Sequence, residues 1–239
     1  MVASTKPNPM YKQKSVLALI PARGGSKRLA GTNLKLIAGV PLIAHSIRAA
    51  WASRHTDRVV VSTDDAMIAA AARVHGAEVP FLRPAGLASD AARSEDVVRH
   101  ALAVLGPFDF VALLQPTSPL RSGGIIDRCI EKCIERGAPA CVTVYPVRHG
   151  GKKLLEVEEG SDIVTRVPAL EHCARRPPGA FVLAQENGAV YVLDAAAFLA
   201  SDRIFSEGTI ALEMSEWQSV DIDYEEDFAA AEALLRNAS

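Results

Sequence analysis

The chain has 239 residues, of which 49% are hydrophobic and 23% charged, with a formal net charge of -2. Those ordinary globular values exclude a disordered or fibrous protein. The near-balanced charge gives no overall field that would gather nucleic acid or acidic lipid, so any anion site must be local.

Residues 1–14 are polar, carry Pro7 and Pro9, and read as a flexible tail rather than a secretory signal. No apolar run approaches the ~20 residues of a membrane-spanning helix. The expectation is a cytoplasmic chain with no membrane or nucleic-acid partner. From residue 15 onward, short apolar runs (VLALI at 16–20, RVVVS at 58–62) alternate with helix-period segments. That order predicts βαβ units and a mostly parallel sheet, an α/β fold of the Rossmann-like three-layer α/β/α kind.

Behind Pro41, which suits a first helical turn, Leu42, Ile43, Ile47, Ala50 and Trp51 fall on one helical stripe. A second helix runs from about Asp65 and closes at Gly76. A third takes Ser94 as its cap, turns Val97, Val98, Ala101, Leu102 and Leu105 inward and stops at Gly106. Residues 109–114 read as a buried strand, Ser122 caps an Ile/Cys-rich helix that ends at Gly137, and residues 140–145 resume the sheet. The four cysteines, Cys129, Cys133, Cys141 and Cys173, have neither CxxC nor zinc-ligand spacing and read as reduced packing residues. Between 146 and 186 the periodicity gives way to charged, Pro/Gly-rich sequence, an excursion long enough to suggest function or cover by a partner. Strand-like sequence returns at 189–193 and 218–223, and Phe228, Ala231, Leu234 and Leu235 make a last helical stripe.

Chemistry-bearing residues concentrate at the two ends. Pro21-Ala22-Arg23-Gly24-Gly25-Ser26-Lys27-Arg28 follows the first strand, where open α/β sheets bind ligands. Gly24 and Gly25 permit positive φ, which turns backbone amides towards an anion. The Arg23 fork with Lys27 and Arg28 suits a polyphosphate. Taken alone, a glycine turn with solvated basic residues is an equal reading, and the position after the first strand favours phosphate. Neither GxxxxGK[ST] nor GxGxxG is present. Asp221 and Asp223, one residue apart in strand-like sequence, would point to one face with α-carbons ~6.5 Å apart. Such a pair can share Mg²⁺, which completes its shell with phosphate oxygens and water. A lone DxD is a weak signal. Asp64 and Asp65 carry the same ambiguity, and there the helix-cap reading is preferred.

IPARGGSKR with Asn33, PLIAHSI, VVVSTDD, AEVPFLRPAGLASD, LLQPTSPLR, NGAVYVL and SVDID stand in the order and spacing of the acylneuraminate (CMP-sialic acid) cytidylyltransferases, the CMP-nonulosonate synthetases. Roughly residues 16 to 235 resemble that family, whereas KDO cytidylyltransferases lack the GGSK run. The resemblance implies a nucleotidyltransferase domain over 15–239, with 146–186 an inserted arm for dimerisation and the sugar site. It implies a homodimer using CTP and Mg²⁺ (Mn²⁺ possible) to transfer CMP to the anomeric hydroxyl of an N-acylneuraminate-type sugar. A pseudaminate, legionaminate or KDO-type substrate is the alternative within the class, and an inactive nucleotide-binding homologue the alternative outside it.

By position, the resemblance assigns the triphosphate to Arg23, Gly24, Gly25, Ser26 and Lys27, a nucleotide contact to Asn33, and cytosine and ribose to Arg83 and Ser94. It assigns the sugar to Gln115, Lys152, Arg176 and Asn187, with Lys153 or Arg175 as substitutes, and the metal to Asp221 and Asp223. Arg23, Lys27 and the acid pair would carry catalysis. Each alone has a structural reading: Gln115 as a strand end, Arg83 as a surface residue before proline, Asn187 as a turn. Two departures stand out. Thr32 occupies the place of a family lysine and Ala30 that of a common proline; the lost cation would either weaken triphosphate binding or shift the work to Arg28.

Overall fold

Along the first strand, successive side chains alternate between two apolar clusters: Val16, Ala18 and Ile20 enter one, Leu17 and Leu19 the other, and all five are fully buried. Burial on both faces is why this strand reads as an unbroken apolar run rather than as alternating sequence. The computed structural model describes residues 11–25, 29, 31–147, 155–157, 164–166 and 184–237.

In chain order the strands are β1 (Val16–Pro21), β2 (Leu36–Ile37), β3 (Val40–Pro41), β4 (Arg58–Ser62), β5 (Phe110–Leu113), β6 (Ala140–Pro146), β7 (Leu155–Val157), β8 (Val164–Arg166), β9 (Ala184–Asp194) and β10 (Ile210–Glu213). The helices are α1 (Leu42–Ala52), α2 (Ala66–Val74), α3 (Ser94–Leu105), α4 (Gly123–Arg136), α5 (Ala195–Ser201) and α6 (Glu225–Asn237). Six strands form one sheet in the order β10-β6-β9-β5-β1-β4. β1 runs parallel to β4 and β5, and β10 parallel to β6, while β9 is antiparallel to both its neighbours. The sheet is therefore mostly parallel, with one reversed strand.

Helices cover both faces. Ile47 of α1, Ile68 of α2, and Ile126, Cys129 and Ile130 of α4 fill one cluster; Val98 and Ala101 of α3 and Phe198 of α5 fill the other. This is the three-layer α/β/α arrangement that the alternation of elements predicts. α4 approaches the end of α1 so closely that a β-carbon on Gly123 would stand 2.5 Å from the Ala52 carbonyl carbon. Cys129, Cys133 and Cys141 are buried free thiols, and burial pushes Cys133 up to about 12, which keeps it an inert thiol. Cys173 lies outside the described residues. A third, smaller cluster joins Ile37 and Leu42 to Ile222, Phe228 and Ala231, seating α6 beside the β2–β3 hairpin.

Asp65 caps α2, accepting from the amides of Met67 at 2.6 Å and Ile68 at 3.1 Å. Ser122 caps α4, which ends at Gly137 in the left-handed conformation. Four expectations need correction. Ser94 is the first residue of α3 rather than its cap; Arg93 holds the cap position, and its amide donates to Asp96 at 3.2 Å. Pro41 sits at the cap of α1, one residue before the first turn. The expected tail is tethered at its end, where Tyr11 donates to Glu135 at 2.8 Å and Lys14 to Asp109 at 2.8 Å; residues 1–10 lie outside the described residues. Residues 218–223 are not a strand; Glu216–Ser219 form a 3-10 turn, and 220–223 pair with no strand.

The excursion is shorter than its sequence suggests, because β6 continues to Pro146 and β9 begins at Ala184. Within it β7 and β8 pair antiparallel, and most of the remainder is outside the described residues. Among the described residues no helix is long and apolar enough to cross a membrane.

Candidate nucleotide site

The chain passes from β1 to β4 on one side and later to β5 on the other, so β1 is where the strand order switches and a crevice opens at the carboxyl ends. The loops leaving β1 and β5 carry Arg23 and Gln115, and the segment after α2 brings Arg83 back beside the end of β4, its amide donating to the Thr63 carbonyl at 2.7 Å. They meet Asn33, the start of α3 with Ser94, and the acid segment with Asp221 and Asp223 around one cavity of about 660 Å³. The basic amino-terminal turn and the carboxy-terminal acid pair thus face the same space.

Arg23 extends Nη1 to Asp90 at 2.8 Å, with both side chains partly open to solvent. Asn33, almost fully buried, donates Nδ2 to the Arg23 carbonyl at 3.1 Å and so fixes the loop's height over the sheet. The Gly24 amide donates to Asp64 at 3.0 Å. Neither Gly24 nor Gly25 has positive φ, contrary to expectation. Gly24 is required instead by close approach, since a β-carbon there would lie 2.8 Å from an Asp65 carboxylate oxygen. Thr32 is buried, with its hydroxyl bonded to the Leu29 carbonyl. Ser26, Lys27, Arg28 and Ala30, and in the excursion Lys152, Lys153, Arg175 and Arg176, lie outside the described residues.

Arg83 is no surface residue. It is 6% exposed, and its guanidinium donates to the carbonyls of Ser62 and, at 3.2 Å, Leu87. Among the described residues its Nε and the Ser62 hydroxyl have no partner. Burial pushes this guanidinium down, opposed by Asp64 and reinforced by Arg23. A buried, partly unsatisfied donor at the edge of a polar cavity is a group with hydrogen-bonding capacity left for a guest.

The acid segment keeps the alternation of a strand without being one: Ile222 is buried in the third cluster, while Asp221 and Asp223 line the cavity. The Asp221 carboxyl is pushed up, first by the protein mass around it, with the charges of Asp223 and Asp227 adding to that and a bond from the Thr117 hydroxyl opposing it. Asp227 is committed elsewhere, accepting from the amides of Asp223 at 2.9 Å and Tyr224 at 2.7 Å at the start of α6.

Asn187 is not brought to the cavity wall. Its Oδ1 accepts from Thr143 at 2.7 Å and from the Ala189 amide at 3.1 Å, and its Nδ2 donates to Ser219 at 2.9 Å and to the Met214 sulfur at 3.2 Å. All four hydrogen-bonding positions of the amide are used, which corrects the expectation of a sugar contact. Sequence reasoning missed Asp90, Arg93 and Thr117, which line the same cavity, and Arg121, buried just behind it. All four fall in or beside the AEVPFLRPAGLASD and LLQPTSPLR segments. Their side-chain types gave no separate sign of a site.

An open, mostly parallel sheet with arginines and a carboxylate pair facing each other across its switch-point crevice defines a nucleotide-handling α/β protein. Residues 17–231 match the family described as Cytidylyltransferase, and the chain belongs to that family. It is 36% identical over 231 residues to the CMP-N,N'-diacetyllegionaminic acid synthase of Legionella pneumophila, covering 92% of this chain and 96% of that one. It is 31% identical over 216 residues to the N-acylneuraminate cytidylyltransferase of Escherichia coli, covering 90% of this chain and 51% of that longer protein. Among solved structures, CMP:2-keto-3-deoxy-manno-octonic acid synthetase complexed with CTP superposes with a TM-score of 0.72 at 16% identity, covering 94% of this chain and 100% of the other, a likeness of fold.

Proposed function

We propose that this chain transfers CMP from CTP to the anomeric hydroxyl of a nonulosonic acid and releases pyrophosphate. The observation that carries this reading is the single cavity on which Arg23, Arg83 and the Asp221/Asp223 pair converge at the carboxyl ends of β1, β4 and β5. Family membership and the substrates in the relatives' names support it. In this reaction the sugar oxygen bonds to the α-phosphorus, the bond from that phosphorus to the bridging oxygen breaks, and the hydroxyl proton passes to a base.

Because charge builds on phosphate oxygens, fixed positive groups do most of the work. Arg23 and Lys27 would hold the departing pyrophosphate, with Gly24, Gly25 and Ser26 shaping the loop. Asn33, Arg83 and Ser94 would bind the nucleoside, and Gln115 with Lys152 and Arg176 the sugar. The acid pair suits a divalent cation. Two carboxylates on one face, with the charge of Asp223 helping to push the Asp221 carboxyl up, are hard oxygen donors, and no larger cluster of ligating side chains exists among the described residues. That set fits Mg²⁺, or Mn²⁺, better than a metal needing an all-protein cage. When bound, the ion would neutralise phosphate charge. Residues 15–239 would form the catalytic domain, with 146–186 an arm between two copies in a cytoplasmic homodimer.

Within the nonulosonic acids, the bis-acetamido legionaminate is favoured by the higher identity and the near-complete length match. An N-acylneuraminate is the second reading. Pyrophosphate release with CTP and Mg²⁺ across legionaminic, neuraminic, pseudaminic and KDO substrates tests both. Release with none of them, alongside CTP-dependent thermal stabilisation, would leave a nucleotide-binding protein without transferase activity.

A further inference from the structure

Arg121 has no place in the chemistry described so far, and its position is costly. It is 3% exposed and, among the described residues, forms no ion pair with a carboxylate. Its Nη1 donates to the Ala189 carbonyl of β9 at 2.5 Å; its Nη2 donates to the Gln115 carbonyl at 2.7 Å and to the Ser46 hydroxyl of α1. Its Nε has no partner among those residues. Burial pushes the guanidinium down to about 9, so it stays charged at neutral pH. An apolar side chain of similar length would occupy this space without the cost of stripping a cation of its water. The charge and fork therefore serve something other than packing.

The bonds lead to the acid pair. Gln115 and Ser118 close a turn, with the Ser118 amide donating to the Gln115 carbonyl at 3.3 Å. The Thr117 carbonyl in that turn accepts the Ile222 amide at 2.9 Å, and Ile222 lies between Asp221 and Asp223. Since 220–223 pair with no strand, this bond ties the acid segment's backbone to the end of the sheet.

We infer that Arg121 is a positioning residue: it clamps the Gln115–Ser118 turn between α1 and β9 and thereby holds Asp221 and Asp223 at the height at which they share a divalent cation. The inference rests on the reading that this pair binds such an ion.

The test uses Arg121→Lys, which keeps the charge and loses the fork, and Arg121→Met, which loses both. Hydrogen exchange over residues 218–225 should show protection of the Ile222 amide falling about tenfold or more in both variants, while amides of β1 and β5 keep theirs. In the presence of CTP, the Kd for Mn²⁺ read by electron paramagnetic resonance should rise ~10-fold or more. CTP binding without metal should change less than about threefold. Unchanged Ile222 protection in a folded variant overturns the clamp, as does protection lost evenly across β1 and β5. Should both variants fail to fold, Ser46→Ala removes one anchor and should still lower Ile222 protection selectively; no change there also overturns it. If the wild type binds no Mn²⁺ with CTP, the metal reading fails, and the exchange measurements still decide the clamp.

Discussion

Replacing Asn187 with alanine separates the two roles that have been assigned to this residue. The substitution leaves the buried Ala189 amide without its acceptor and removes the amide's bonds to Thr143, Ser219 and Met214. Thr143 keeps the Val190 carbonyl at 3.1 Å, and Ser219 keeps the Ser215 carbonyl at 2.9 Å, so the Ala189 amide bears most of the loss. An orphaned buried donor costs about 1–3 kcal/mol. The void left by the truncated side chain adds ~1 kcal/mol. For a chain of this size, each 1 kcal/mol lowers Tm by about 2–4 °C, so a calorimetric or fluorescence melt should fall by roughly 5–15 °C. Below the transition, the sugar KM of the folded fraction should stay within about threefold of wild type. A variant with wild-type Tm and a sugar KM raised by more than ~10-fold would refute the packing assignment and restore the direct sugar contact.

Asp223→Ala should leave a folded protein whose pyrophosphate release is lower by at least ~10²-fold, the scale of losing a key electrostatic group; near-normal release would remove the pair from the chemistry. Gly123→Ala forces a β-carbon to 2.5 Å from the Ala52 carbonyl carbon, so α4 must retreat from α1 at a cost of about 1–3 kcal/mol, read as a lower urea midpoint. Asp109 is held down to about 2 by Lys14 first and then by the Ser15 amide and hydroxyl. Its folded value is depressed below the ordinary 3.8, so its contribution is complete above about pH 4 and disappears as pH falls through 2. Urea midpoints of Asp109→Asn should therefore fall less than wild type between pH 4 and pH 2; parallel curves would contradict this.

The strands were readable because burial on both faces demands uninterrupted apolar residues, as Val16 to Ile20 and Val59 to Val61 supply. Helix ends were readable wherever one residue acts locally, as the capping side chains of Asp65 and Ser122 and the left-handed backbone of Gly137 do. At Ser94 the local rule pointed one residue late, because Asp96 reaches back to the Arg93 amide and frees Ser94 to face the cavity. The strand-like run at 218–223 misled for a related reason. Its alternation reflects one buried isoleucine between two cavity-facing carboxylates, not pairing in a sheet.

What the sequence alone determined is the order of the layers and the residue types available at the loop ends, since periodicity and end signals are local properties of the chain. Only the tertiary structure decided which of those residues share one space: Arg23, Arg83 and Asp221 lie far apart in sequence and meet because the strand order switches at β1. It alone also made Asn187 a saturated clamp and Arg121 a buried cation. Their hydrogen-bond partners come from distant segments, and no local pattern encodes a partner that the fold has yet to bring near.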